Sequence, residues 1–292
     1  MSTAVAMTGT RVLGSLLAVL ACCSVPDIAA AQGRIEAQYI ATLAGIPIGK
    51  GNWTVDVGES RYSAAASGMT TGLVRLFTGG RATGAAQGSL SPSRPLASNY
   101  AATIVTRHQT DEIRLTVAAG NVKEVKVEPP EKPDPKRIPV TDEQRRGVVD
   151  PMTASLMLVP ANVDLQSPQA CERRLAVFDG KLRYNLTFAF KRMEKVAAKK
   201  GYAGAAVVCS VAFEPVSGFV PDRSAIAYLS KPHGMEVWLV PIPGTRVLVP
   251  FRGQIETPVG LGVVEATQFV AAAGSAHAAK GTKGASVQDK TQ

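Results

Sequence analysis

Apolar side chains at every second position constrain this chain more than any other feature. Ile35, Ala37, Tyr39, Ala41 and Leu43 share one parity, with Glu36, Gln38 and Thr42 on the other. Trp53, Val55 and Val57 alternate with Thr54 and Asp56, and Ile113, Leu115 and Val117 with Arg114 and Thr116. The longest run sets Leu182, Tyr184, Leu186, Phe188 and Phe190 against Lys181, Arg183, Asn185, Thr187 and Lys191. Successive strand residues point to opposite faces, so this period marks antiparallel strands with one buried and one solvated face. A set of such strands must curl or stack to hide its apolar faces. The expected fold is mainly β: an antiparallel, strongly curved sheet or partly open barrel with one short helix.

Turn residues punctuate the pattern. Asp179-Gly180, between the apolar runs 175–178 and 182–190, predicts a two-residue hairpin turn. Lys200-Gly201, His233-Gly234 and Pro243-Gly244 mark later turns. One helix is expected where Asp150 is placed as N-cap and Pro151 as first helical residue. Met152, Leu156 and Val159 form its stripe and Pro160 ends it. Residues 71–77 read as a short turn of helix, and 222–229 fit helix or strand alike. The segment 128–139, EPPEKPDPKRIP, carries five prolines and reads as a linker or long exposed loop. The chain is thereby divided into an N-terminal β-meander (32–127), a Pro-rich charged segment (128–146) and a C-terminal β-rich part (147–270). Two domains or two halves of one sheet both satisfy that division. Residues 271–292, rich in Ala, Gly, Ser and Lys without periodicity, read as a disordered tail.

The N-terminus predicts export. Arg11 precedes the apolar run 12–23, VLGSLLAVLACC, which is too short to span a bilayer. Pro26 breaks it, and Ala29-Ala30-Ala31 supply the small residues a signal peptidase reads. Residues 1–31 are therefore expected to be a signal peptide cut after Ala31, which places the mature protein in the periplasm. The alternatives are an uncleaved anchor and a lipidated Cys22, the latter disfavoured by bulky Leu20. Cleavage removes Cys22 and Cys23, leaving Cys171 and Cys209 in an oxidising compartment, where a lone pair becomes a disulfide. Cys171 has the parity of Leu175 and Val177, and Cys209 that of Val207, Val211 and Phe213, so the bridge is expected in the core. In the chain-entropy view, a loop of about 38 residues gives roughly 3–4 kcal/mol. Neither a CxxC pair nor a neighbouring His supports a metal or redox reading.

The formal charge of +9 survives cleavage, because Arg11 and Asp27 cancel. Nine Lys and Arg stand against three Asp and Glu between residues 172 and 200. Lys181, Arg183 and Lys191, on the polar parity of the hairpin, are candidates for contact with an anionic envelope surface: lipid headgroups, lipopolysaccharide or peptidoglycan. A solvated strand face is the alternative. Nucleic acid is not an expected partner, since no aromatics interleave with these charges as a stacking platform requires. His108, His233 and His277 lie one to a region, too dispersed for a histidine metal cluster or a Ser-His-Asp set. GxSxG, HExxH and CxxC are all missing. No catalytic, cofactor-binding or metal-ligating residue is therefore expected. Gly79-Gly80 and the run Gly45…Gly49-Lys50-Gly51 read as turns, and Trp53 and Trp238 as core or cavity wall.

Seven stretches follow one another between residues 35 and 269: YIATLAGIPIGKGNW, GLVRLFTGG, VVDPMTASLML, CERRLAVFDGKLRYNL, VVCSVAFEPVSG, EVWLVPIPGTRVLVPFR and VGLGVVEATQF. In that order they resemble the bacterial exported family called domain of unknown function (DUF) 3108. The resemblance implies a β-rich envelope protein, and it carries over no activity or catalytic residue. The basic, alanine-rich tail departs from it. The expected function is a non-catalytic binding or assembly module of the envelope, with a lipid-like or envelope-polymer ligand. The alternatives are a hydrolase whose polar residues, His108 among them, converge only in three dimensions, and a scaffold that contacts other envelope proteins through its edge strands. A binder is expected to show an apolar concave face, a hydrolase a cleft gathering His108 with acids.

Overall fold

The computed structural model describes residues 33–72, 79–92, 94–232 and 234–273. The expected signal peptide, most of the helical turn at 71–77, His233, His277 and the tail beyond 273 lie outside the described residues. The first part of the chain is a seven-strand meander. It comprises β1 (Gly33–Leu43), β2 (Ile46–Val57), β3 (Arg61–Thr70), β4 (Arg81–Leu90), β5 (Pro95–Val105), β6 (Thr110–Ala118) and β7 (Asn121–Glu128). Helix α1 (Pro151–Ala154), β8 (Met157–Leu158), β9 (Arg173–Phe178) and the long hairpin β10 (Arg183–Ala197) and β12 (Ala203–Ser217) follow, with β11 (Lys200–Gly201) at its tip. Helix α2 (Ser224–Leu229), β13 (Glu236–Pro241), β14 (Val247–Thr257) and β15 (Gly260–Ala273) complete the order.

Both parts belong to one sheet, ordered β7-β6-β5-β4-β3-β2-β1-β15-β14-β13-β12-β10-β9. The join is the antiparallel pairing of β1 with β15, which runs from Gly33 opposite Ala273 to Leu43 opposite Gly262. No ladder connects the edge strands β7 and β9, so the sheet is not closed. It curls until Ile113, Leu115 and Val117 of β6, Val125 and Val127 of β7, and Ala176 and Phe178 of β9 share one apolar cluster with Val148. The chain at 147–150 runs between the edges. Val148 N donates to Gly120 O at 2.9 Å, and Val149 forms a parallel bridge with Val177. Lys181 Nζ reaches Asp111 Oδ1 at 3.0 Å across the same seam.

The core-facing side of the meander is unusually small: Ala64, Ala66, Gly84 and Ala86 lie on strands β3 and β4. Helix α1 fills the space this leaves. A Cβ on Gly84 would meet Met152 Cε at 3.2 Å, and Tyr62 Oη hydrogen-bonds Thr153 Oγ1 at 2.6 Å. Asp150 caps the helix as expected, accepting from Thr153 N at 2.9 Å.

Strands β12 to β14 are built differently. Ala206, Val208, Trp238, Val240, Val247, Val249 and Phe251 enter the main core, while Val207, Cys209, Leu239 and Leu248, on the opposite face, enter a second cluster. The chain between α1 and β9 covers that second face, with Met157, Val159, Ala170 and Cys171 buried. The expected disulfide Cys171–Cys209 fastens this cover to β12, with Cα atoms 5.6 Å apart. Arg246 and Arg173 hold the cover by its carbonyls. Arg246 Nε donates to Val159 O at 3.1 Å, and Arg173 donates to Leu158 O and Ala170 O at 2.9 and 3.0 Å.

Two local expectations are corrected and one open reading is decided. The helix at Asp150 is one turn long, because Leu156 to Val159 alternate between the two clusters and pair with β14 instead of continuing a helical stripe. The segment 222–229 contributes a second short helix, α2. The β9–β10 hairpin forms, but its turn has four residues: Phe178 pairs with Arg183, and Asp179 Oδ1 accepts from Lys181 N and Leu182 N. The Pro-rich segment is tied to the chain after β12, with Ile138 N donating to Phe219 O at 2.9 Å and Arg137 Nη1 to Gly218 O at 2.8 Å.

Candidate functional site: a trough on the outer face of the meander

Asn52, Thr54 and Asp56 of β2 face away from the core, because Trp53, Val55 and Val57 face into it. Strand register carries this outer parity across the meander in cross-sheet rows. One row is Ile40, Lys50, Met69 and Arg81. The next is Gln38, Asn52, Ser67 and Thr83, and the third is Thr54, Ala65, Ala85, Ala101 and Arg114. Asp56, Ser63, Gln87, Asn99 and Thr116 form the fourth. The alanines are short and the flanking rows long, so the face is hollow. The first two rows line a hollow of about 550 Å³. The third and fourth line an adjoining one of about 480 Å³.

Lys50 and Arg81 stand in one row, separated by Met69. Both are exposed, and among the described residues neither is ion-paired. Two other cations of this face are paired: Arg34 takes Asp56 at 2.9 Å, and Arg114 takes Glu112 at 3.1 Å. The trough therefore presents two free cations beside amides and hydroxyls (Gln38, Asn52, Ser67, Thr83, Thr267), with exposed Ile40 and Met69 between them. Such a surface can hold an anionic group in hydrogen-bonding company and leave an apolar portion against the methionine and isoleucine.

The cations singled out from the sequence are placed otherwise. Lys181 pairs with Asp111 across the seam, and its hydrogen bond holds that carboxyl below the ordinary aspartate value, against the opposing effect of burial. Arg183 donates to Tyr184 O and to Asn185 Oδ1. Lys191 pairs with Glu236, whose other oxygen takes Arg192 at 2.9 Å. Burial raises the Glu236 carboxyl, but the bonds from Lys191 and Arg192 outweigh it and bring the value below normal. Arg192 and Arg252 also lie 5.2 and 4.7 Å from the ring of buried Trp238. Lys181, Arg183 and Lys191 are thus each engaged within the chain and do not form one free stripe.

His108 lies exposed in the β5–β6 turn, where its backbone N donates to Thr106 Oγ1, and among the described residues no ion pair joins it to an acid. The buried acid Asp150 accepts from the backbone and hydroxyl of Thr153. Burial raises its pKa, and the bonds from Thr153 and from the backbone at Met152 and Asp150 only partly counter this. Among the described residues, no group of three His, Cys, Asp or Glu is placed to hold a metal ion.

The sequence reading missed Lys50 and Arg81. Gly49-Lys50-Gly51 reads as a turn, yet it lies inside β2, where the small flanking residues face the crowded core side. A Cβ on Gly51 would sit 2.7 Å from Ser67 O. Strands β3 and β4, SAAASGM and RATGAAQGS, carry Ala, Gly and Ser on both parities, so alternation gives no signal there. Counting parity back from Trp53 would have placed Lys50 with Asn52 and Thr54 on the outer face.

The fold defines a class: a barrel-like, strongly curled antiparallel sheet, open along one seam and plugged by a single helical turn. The chain belongs to the family of proteins of unknown function DUF3108, whose family model matches residues 38–267. Among solved structures, it is similar to the beta-barrel-like protein of domain of unknown function DUF1849 from Brucella abortus. The identity is 8%, the TM-score 0.44, and the match covers 82% of this chain and 98% of that one. No curated protein sequence matched.

Proposed function

We propose that this protein is a non-catalytic binding module of the bacterial envelope, exported by cleavage after Ala31, that holds an anionic lipid-like or envelope-polymer ligand in the outer trough. The observation that carries this reading is the pair of unpaired cations, Lys50 and Arg81, set in a hollow of about 550 Å³ among hydroxyls, amides and exposed apolar side chains. The disulfide and the lack, among the described residues, of a helix long and apolar enough to cross a membrane are compatible with export. The site on the outer face requires no empty lumen, which suits a concave side already occupied by α1.

Native mass spectrometry of the full chain, prepared from the envelope, tests this. The expected spectrum shows a chain starting at Gln32 and an anionic adduct. Titration with dihexanoyl-phosphatidylglycerol below its micelle concentration, and in parallel with an acidic polysaccharide fragment, tells the two ligand sources apart. At least one should bind with steep salt dependence. Lys50→Glu with Arg81→Glu should weaken that binding at least tenfold while circular dichroism stays unchanged. Equal binding by wild type and the double variant would defeat the reading.

A further inference from the structure

Among the described residues, the two most exposed large hydrophobic side chains lie on two neighbouring β-turns at one end of the sheet. The β1–β2 turn is a two-residue hairpin in which Ala44 and Gly45 both have positive φ, 50° and 79°, and it projects Ile46, 63% exposed. The β14–β15 turn closes with Thr257 opposite Gly260 and projects Val259, 68% exposed. The two turns touch. Ala44 N donates to Leu261 O at 2.9 Å, and a Cβ on Gly260 would lie 2.7 Å from Ala44 Cβ. Leu261, Val264 and Ile40 add exposed apolar surface behind them. Soluble surfaces scatter such residues singly; a shared tip of them marks a contact.

We infer that these paired turns dip into the interface of an anionic lipid bilayer. The first observation is charge. Residues 40–49 and 257–264 contain no charged residue at all. The cations begin just behind: Lys50 is four residues from Ile46 along β2, about 13 Å at strand rise, and Arg81 stands in its row. Apolar side chains seated roughly 5–10 Å below the headgroups put these ammonium and guanidinium groups at phosphate level. The bordering carboxylates are Glu265, near Arg252 at 3.9 Å, and Glu256, beside Gly234. The second observation is the backbone. Pro47 and Pro258 have no N–H to bury, Ala44 N is bonded to Leu261 O, and Val259 N to Thr257 Oγ1 at 3.3 Å. The tip can thus leave water without stranding these donors, which hydrocarbon penalises strongly. Two apolar knobs, with these donors accounted for and cations behind them, match a lipid surface.

This inference rests on the envelope reading for the source of the bilayer, and it does not need a ligand in the trough. Its test is co-sedimentation of the full chain with phosphatidylcholine vesicles containing about one-third phosphatidylglycerol. Wild type should bind. Ile46→Ser with Val259→Ser should weaken binding on the order of ten- to a hundredfold, from the apolar area no longer buried. The same variant should bind the soluble short-chain ligand as wild type does, which separates failure of the tip from failure of the trough. In Ile46→Trp and Val259→Trp, vesicles should shift indole emission to the blue, and brominated lipid should quench it. Absence of vesicle binding by wild type, or equal binding by the serine variant, overturns the proposal. So does a vesicle-free dimer in sedimentation velocity that the serine changes abolish, since a second copy would then be the occupant.

Discussion

The meander and the strands β12 to β14 are parts of one sheet with opposite constructions. In the meander, one face packs on the core and the other stays in water, so Trp53, Val55 and Val57 are buried while Asn52 is exposed and Thr54 and Asp56 are half-buried. At 206–209, 238–240 and 247–249 of β12 to β14 both faces are covered, and consecutive residues such as Trp238, Leu239 and Val240 are all buried. The covered strands carry one end of the disulfide, and Arg246 clips the cover just before β14. The half-covered strands carry the trough and one of the two apolar turns. Anchorage and contact surface are thus divided between regions, and a substitution's effect should depend on which construction it meets.

The sharpest break of that comparison is a large-to-small change in the covered strands. Phe251 is fully buried, with the rings of Phe269 and Tyr202 centred 5.6 and 6.1 Å away. Phe251→Ala should cost about 3–5 kcal/mol in urea unfolding. Ala65→Ser, on the trough floor, should change stability by less than about 0.5 kcal/mol. Similar costs for the two would show that the regions are not built differently.

A smaller effect is expected at the bridge. Cys209→Ser should lower stability by about 2–4 kcal/mol, consistent with a closed loop of this length. The loss should appear first as exposure of the 157–171 cover, read by hydrogen exchange, while the meander keeps its protection. Uniform loss of protection would mean that cover and meander unfold as one unit.

The smallest effect concerns two carboxyls whose pKa values are shifted in opposite directions. Lys181 holds the Asp111 carboxyl below its ordinary value. Its stabilising contribution is therefore present above the unfolded aspartate pKa of about 3.9 and fades as pH falls through the folded value. Asp150 is raised by burial. Its state is favourable below about 3.9 and becomes costly as pH rises through the raised folded value. Asp111→Asn should flatten the acid limb of the stability profile by under about 1 kcal/mol. Asp150→Asn keeps a capping oxygen and should flatten the fall on the higher-pH side. Matching changes from the two variants would refute the assignment.

How far the sequence could be read follows the same division. Alternation located β1, β2, β6 and β10, because one wet face leaves every second residue polar. It gave no signal in β13 and the start of β14, where consecutive residues are buried on both parities because both faces are covered. It was silent in β3 and β4, where Ala and Gly serve both sides: they admit Met152 on one and floor the trough on the other. The disulfide was legible because compartment and cysteine count left a single pairing. The trough was not, because Lys50 and Arg81 lie 31 positions apart in the chain and become neighbours only through the register of β2, β3 and β4.

By itself, then, the sequence determined a mainly antiparallel β protein, its one bridge and its family, since these follow from local period, composition and ordered motifs. Only the tertiary structure decided that both parts share one sheet, through the pairing of β1 with β15. It also decided that Lys181 and Lys191 pair with Asp111 and Glu236, while Lys50 and Arg81 have no ion pair among the described residues. The physical reason is that whether a charge is available depends on which carboxylate packs beside it, and those partners come from strands distant in sequence.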